Sequence, residues 1–207
     1  VMGRHCGWLT AYTAKEYHDR LKKRNFLPEL LIDQQRWDVD AVYIPEMDID
    51  FDSECKRLKA LMDEKDSVNI FHSEGAGTNI IIKEMDAAGE TVERDAFGHV
   101  ALDTLNPGQW FAKQFTDQLE ADKTLVQKSG YFSRSAAPNK QDLELIKASG
   151  KLGAKLALVG QCGVVGMDEA KNGESGLIDL ERIKGGKPFN IDQKWFNELL
   201  TEIGQPK

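Results

Sequence analysis

The sequence is poor in cysteine: Cys6, Cys55 and Cys162 are the only three in 207 residues. An odd number, with no CxxC pair and no secretory pattern ahead of it, excludes a disulfide scaffold and reads as buried, reduced thiols of a cytosolic protein. Zinc-ligand spacing is missing too: His5 and Cys6 are adjacent, His18, His72 and His99 stand isolated, and there is no HExxH. No metal ligand is therefore expected among these residues. No apolar stretch approaches the ~20 residues that cross a bilayer, and Val1-Met2-Gly3-Arg4-His5 has neither region of a signal peptide. A soluble, cytoplasmic chain with no membrane partner is expected. No lysine or arginine run tracks a nucleic-acid backbone, and 27 basic against 34 acidic residues leave a net charge of −7, so nucleic acid is excluded as a partner. The GxSxG and GxxxxGK[ST] patterns are also absent, which removes support for a nucleophile elbow or a P-loop.

What is present is a folding composition, 41% hydrophobic and 29% charged, enough for one packed body with an apolar core. The chain opens on Val1 without an initiator methionine, and its first residues read as the end of a strand feeding a turn, as if cut from something longer. Helical spacing runs from Cys6 to about Lys23, and a short helix is expected at Glu29–Arg36. Val39–Glu46 reads as a strand stopped by Pro45, followed by a helix capped by Asp52 or Ser53 and carrying Cys55, Leu58, Leu61 and Met62 on one stripe. Val68–His72 reads as a second strand, completing a βαβ unit. Further on, Ile80–Ile82 and Leu125–Lys128 look strand-like, and Asn106-Pro107 opens a helix with Phe111, Phe115 and Leu119 on its buried face. Asn139 and Asp142 form a capping box for a long helix, and Lys171-Asn172-Gly173 is the turn of a hairpin between Val164–Met167 and Leu177–Ile183. Trp195, Leu199 and Leu200 anchor a terminal helix. The fold class expected is α/β, a Rossmann-like parallel sheet flanked by helices with a small C-terminal hairpin and helix, without repeat or linker.

Three segments could carry chemistry. Met2-Gly3-Arg4 lies at a strand-to-helix joint, where glycine permits close backbone approach, the helix end favours an anion and arginine offers a planar fork for phosphate oxygens. Ser73-Glu74-Gly75-Ala76-Gly77 follows the second strand, at the carboxyl end of a parallel sheet where ligands bind, and Glu74 could accept from sugar hydroxyls. Lys128-Ser129-Gly130-Tyr131-Phe132-Ser133-Arg134-Ser135 gathers a lysine, a phenol, hydroxyls and an arginine, a mix suited to a phosphate monoester. Lys184 and Lys187, around Gly185-Gly186, could add to it. On the residues alone each segment reads as well as an ordinary turn or a solvated charge, and no pair of residues stands out for nucleophilic catalysis.

Taken in order, these segments resemble the carboxyl-terminal half of the phosphofructokinase family. Met2-Gly3-Arg4-His5-Cys6-Gly7 is similar to its MGR motif, Ile44-Pro45-Glu46 to the strand end that follows, and Ser73-Glu74-Gly75 to its sugar-binding glutamate. Gly130-Tyr131-Phe132-Ser133-Arg134 is similar to the G-H-x-x-R segment of ATP-dependent members, and Lys187-Pro188-Phe189 to the closing loop. Tyrosine at Tyr131, the Ser-Glu-Gly-Ala-Gly run and the inserted Lys15–Trp37 segment are similar to the pyrophosphate-dependent branch. The acidic Asp63-Glu64-Lys65-Asp66, where bacterial ATP-dependent enzymes carry an effector-binding lysine cluster, puts nucleotide control in doubt. The resemblance implies that Met2 and Gly3 hold the sugar through their backbone, Arg4 stabilises the phosphoryl group in flight, Glu74 binds sugar hydroxyls, and Tyr131 and Arg134 grip the 6-phosphate. It implies fructose 6-phosphate and pyrophosphate as substrates, a Mg2+ cofactor, and a homo-oligomer, dimer or tetramer. The diphosphate loop and the T-I-D-x-D stretch with the base and metal site would lie upstream of Val1, so the isolated piece is expected to be inactive and to expose surface that packs on the other half. An ATP-dependent kinase and a noncatalytic, phosphofructokinase-like regulatory subunit are the alternatives, separable by the upstream aspartates.

Overall fold

The computed structural model describes residues 1–92, 105–183 and 187–206; His99 and Lys184-Gly185-Gly186 lie outside them. Rather than one packed body, the chain divides into two compact units, residues 1–130 with 187–207, and residues 131–186. The division falls after Gly130 and after Gly186, the second within the Lys184-Gly185-Gly186-Lys187-Pro188 run.

The first unit is built on strand β1 (Ala41–Tyr43), every residue of which is buried. β1 pairs in parallel with β2 (Ile70–His72), Ala41 opposite Ile70 and Tyr43 opposite His72. Side chains alternate across a strand, so β1 feeds two cores. Val42 and Ile44 meet Ala11 and Ala14 of helix α1 (Trp8–Leu21) and Phe196, Leu199 and Leu200 of the terminal helix. Ala41 and Tyr43 meet Cys55 and Leu58 of α2 (Phe51–Lys65), Ile81 of α3 (Thr78–Ala87), and Phe111, Phe115 and Leu119 at α4 (Pro107–Gln118). Helices thus cover both faces of a small parallel sheet, which bears out an α/β fold.

Val1 adds two hydrogen bonds on the far edge of β2. The Val1 amine donates to the His72 carbonyl at 2.7 Å and the Val1 carbonyl accepts from the Glu74 N–H at 2.9 Å. That is the slanted pattern of a parallel ladder, on the edge of β2 opposite the one where the Ser73 N–H donates to the Tyr43 carbonyl at 2.9 Å. Val1 thus lies along the outer edge of β2 through these two hydrogen bonds, and residues 1–3 have no regular secondary structure of their own.

Several local expectations are corrected. Ile80–Ile82 lies in helix α3, because Gly77 turns the chain at φ +64 and Ile81 is 2% exposed against the core; burial overrides β propensity. Helix α2 is capped by Asp50, not Asp52 or Ser53: its carboxylate accepts the Ser53 N–H at 3.2 Å. The earlier start lets Phe51 join Phe111 and Phe115, with ring centroids 5.8 and 5.2 Å away. The helix at Glu29–Arg36 is one 3-10 turn, Pro28–Leu30, closed by reciprocal backbone hydrogen bonds between Leu27 and Ile32. Leu125–Lys128 has no regular structure; with Leu125 81% exposed, no neighbour offers the pairing a strand needs. Of the thiols only Cys55 is buried; Cys162, between helix and hairpin, is exposed, and all three are free.

In the second unit, α5 (Gly130–Ser135), whose first residue belongs to the first unit, precedes α6 (Lys140–Leu158), where Asn139 and Asp142 complete the expected capping box. Strands β3 (Val164–Asp168) and β4 (Glu174–Ile178) pair antiparallel around a turn with left-handed Asn172 and Gly173. The terminal helix of the first unit, α7 (Lys194–Glu202), is where Trp195, Leu199 and Leu200 predict it.

An ion pair ties the hairpin to the turn that follows it. Arg182 donates to both oxygens of Asp168, at 2.8 and 2.5 Å, and the guanidinium holds that carboxyl down at about 2. A depressed carboxyl pKa contributes stability that is complete above the unfolded value, ~3.9, and is lost as pH falls through about 2. A carbon-detected NMR titration should place the Asp168 midpoint near 2, and Arg182→Ala should raise it to ~4; an unmoved midpoint would refute the pairing.

Candidate functional site at the carboxyl end of the parallel sheet

The chain leaves β2 through Ser73 and Glu74 beside residues 1–4, which leave the neighbouring position in the sheet. The Ser73 hydroxyl, fully buried, donates to the Gly3 carbonyl at 2.6 Å. Gly3 has φ +140, and a Cβ there would lie 2.4 Å from the Cys6 carbonyl oxygen, so only glycine carries the chain through this bend. Gly75 is needed for the complementary reason: a Cβ on it would sit 1.9 Å from the Arg4 carbonyl oxygen. The two segments are in backbone contact.

That contact sets two charged side chains side by side. The Arg4 Nε lies 3.6 Å from Glu74 Oε1, with the side chains 51% and 43% exposed. An ion pair this exposed adds ~0–1 kcal/mol at most, so the pair sits open to solvent, a guanidinium beside a carboxylate. The Met2 Cγ lies 3.4 Å from where a Cβ on Gly130 would stand. Gly3 and Arg4 are therefore brought against Ser73, Glu74 and Gly75, some seventy residues on in the sequence.

Tyr131 and Arg134 are on α5, exposed, in the second unit, Tyr131 at 83%. Lys128 donates to the Asn106 side chain at 3.5 Å, and Lys187 lies in the described loop before Phe189. Among the described residues no three His, Cys, Asp or Glu side chains group as a metal site, and no helix is long and apolar enough to cross a membrane.

His72 escapes a motif-based reading, and Glu46, which ends the Ile44-Pro45-Glu46 motif, shows its contacts only in the structure. His72 has both ring nitrogens buried without hydrogen-bond partners among the described residues. Its ring centroid is 4.5 Å from that of Phe111, and burial pushes the imidazole down to about 4, so it serves as a neutral ring under Ser73 and Glu74. Glu46 accepts from the Gly7 and Phe189 N–H groups. The first looks like an isolated histidine and the second like a strand-ending carboxylate; only their surroundings distinguish them.

All 207 residues align with pyrophosphate–fructose 6-phosphate 1-phosphotransferase of Methylomonas methanica at 54% identity, covering 51% of that protein. The same-named protein of Mastigamoeba balamuthi is 56% identical over the whole chain, again across 50% of its length. That of Propionibacterium freudenreichii is 52% identical over 206 residues. The chain resembles half of a pyrophosphate-dependent phosphofructokinase. It spans about half the length of the curated relatives it matches. No family model matches it, and no solved structure does. The resemblance read from the motifs is borne out along the entire chain, and the Arg4 and Glu74 motifs of that phosphofructokinase pattern are the ones that meet in space.

Gly75→Ala should force the Arg4 backbone aside, costing ~1–3 kcal/mol of stability in denaturant unfolding and moving the Arg4 and Glu74 amide resonances. A variant with wild-type stability and spectrum would mean the segments are not in contact.

Proposed function

We propose that the protein containing this chain transfers a phosphoryl group from pyrophosphate to the 1-hydroxyl of fructose 6-phosphate, giving fructose 1,6-bisphosphate, and that this chain is its carboxyl-terminal, sugar-phosphate portion. The observation that carries the reading is 51–56% identity over essentially every residue to phosphotransferases of that name. The Arg4–Glu74 pairing at the carboxyl end of a parallel sheet supports it, because open α/β sheets bind ligands there. The ladder at Val1 supports the finer expectation of a Rossmann-like sheet continuing past β2 in the parent.

In this reaction the sugar hydroxyl oxygen bonds to phosphorus as the bridging P–O bond of pyrophosphate breaks, and inorganic phosphate leaves. Positioning and charge neutralisation supply most of the catalysis. The Met2 and Gly3 backbone holds the sugar, Glu74 accepts from its hydroxyls, and Arg4, permanently charged, neutralises the phosphoryl oxygens as the bond order shifts. Tyr131 and Arg134 bind the 6-phosphate. The hydroxyl proton goes to a base in the other half. Phosphotransferases of this kind generally use Mg2+; the described residues hold no acidic cluster that fits it. The parent is read as a cytoplasmic homo-oligomer.

Helix α6 supports the reading of a partial chain. None of its residues is buried, and Leu143, Leu145, Ile146 and Leu158 are 43%, 46%, 59% and 88% exposed. So much apolar surface on one helix belongs under other protein.

In the full-length protein, pyrophosphate should support phosphorylation of fructose 6-phosphate and ATP should not. Arg4→Ala should cut kcat by ~10²–10³ with an unchanged melting temperature, and Arg134→Ala should act on the KM for the sugar phosphate. Turnover with ATP alone would overturn the donor assignment, and turnover by the isolated 207-residue chain would overturn the placement of the base in the other half.

A further inference from the structure

Glu46 stands where β1 ends, and a single oxygen of its carboxylate, Oε1, accepts two backbone N–H groups from distant parts of the chain, Gly7 at 3.0 Å and Phe189 at 2.7 Å. Gly7 is the N-cap of α1 and closes the loop that begins at Gly3. Phe189 is 3% exposed, and its ring stands edge-on to Trp8 at a centroid distance of 4.8 Å. One side chain therefore ties together the exit of β1, the far end of the Arg4 loop and the segment following Lys187.

The fit leaves little slack. A Cβ on Gly7 would lie 2.5 Å from the Ile44 Cβ and 2.8 Å from Glu46 Oε2. That second oxygen is buried and has no hydrogen-bond partner among the described residues. A carboxylate held this way sits against the amino end of α1, where the aligned peptide dipoles favour negative charge. It also alters the sequence expectation for this helix end, since the Gly7 N–H is already taken by the chain's own anion. The loop carrying Arg4 is thus pinned twice, by Ser73 at Gly3 and by Glu46 at Gly7.

We infer that Glu46 is a positioning residue for the sugar-phosphate site, holding the Arg4 loop and the Lys187–Phe189 segment in register through its paired hydrogen bonds. This rests on the function proposed above. Glu46 touches neither substrate; it acts through Gly7 and Phe189, so its loss should weaken sugar-phosphate binding more than the chemical step.

The test compares Glu46→Leu, which keeps bulk and removes the acceptor, with Glu46→Gln, which keeps an acceptor oxygen, both in the full-length protein. Hydrogen exchange of peptides covering residues 3–9 and 187–190 should be faster by on the order of 100-fold in the leucine variant and near wild type in the glutamine variant. The KM for fructose 6-phosphate should rise about tenfold in the leucine variant with kcat within about threefold, and glutamine should restore most of it. Unchanged exchange at both segments overturns the inference, as does faster exchange with unaltered KM. If Glu46→Leu does not fold, Glu46→Asp, too short to reach both N–H groups, replaces it in the same comparison. A wild-type protein that does not use pyrophosphate would fail the functional reading instead, and exchange in the two segments would still decide whether Glu46 holds them.

Discussion

The first unit depends on one short strand having no exposed face and no open edge. Val42 and Ile44 fill the core under α1 and α7, while Ala41 and Tyr43 fill the core under α2, α3 and α4. One edge of β1 is taken by β2. At the other, Gln205 accepts the Val42 N–H at 2.8 Å and donates to the Val42 carbonyl at 3.1 Å, so a side-chain amide stands in for a neighbouring strand. Both of the polar groups that an edge strand leaves open are satisfied there. The sheet can therefore grow only past β2, and Val1 already occupies that side.

Closing β1 requires polar groups to be buried, and most find partners in place, while the Arg57 Nη1 is buried with no hydrogen-bond partner among the described residues. The Tyr43 hydroxyl donates to Glu54 at 2.6 Å, and burial beside that carboxylate drives the phenol pKa far upward, keeping it a neutral donor. Arg57 donates to both oxygens of Glu54 and, at 3.0 Å, to the Asp40 carbonyl, which fastens α2 to the start of β1. Breaking one member would strand a buried charge, so the network specifies the register of α2 on the sheet more than it adds stability. A fixed register matters at the other end of the strands, where Ser73 and Glu46 hold the Arg4 loop within tight contacts.

How far the fold could be read from sequence follows from which signals were local. Asn139 with Asp142, Asn172-Gly173 and the four-residue spacing of Phe111 and Phe115 act through neighbours in the chain, and each gives the element expected. Ile80–Ile82 misleads because three β-branched residues have a strand's composition, while their helix is imposed by the Gly77 turn before it and the core beside it. Leu125–Lys128 misleads in the opposite way: the residues suit a strand, but pairing depends on a partner. At the site, the motifs picked out Met2, Gly3, Arg4 and Glu74, yet that Gly75 must pass within van der Waals reach of the Arg4 carbonyl could be seen only in space. Glu46 was visible as a motif position and silent as to role, since both of its donors are backbone groups that any residue supplies.

The two units contrast in what holds them. The first has two apolar cores on a shared strand, whereas the second, residues 131–186, contributes no residue to either core and buries chiefly Asp168 against Arg182. A segment of this size sits near the limit at which a chain can bury enough apolar area to offset its conformational entropy. An ion pair does not make up that shortfall, because desolvation consumes most of its attraction. The capping box and hairpin turn define its local conformation well, and the exposed leucines of α6 show that its hydrophobic energy is largely unspent. Local signals alone can thus specify secondary structure in a segment whose own burial of apolar area is small.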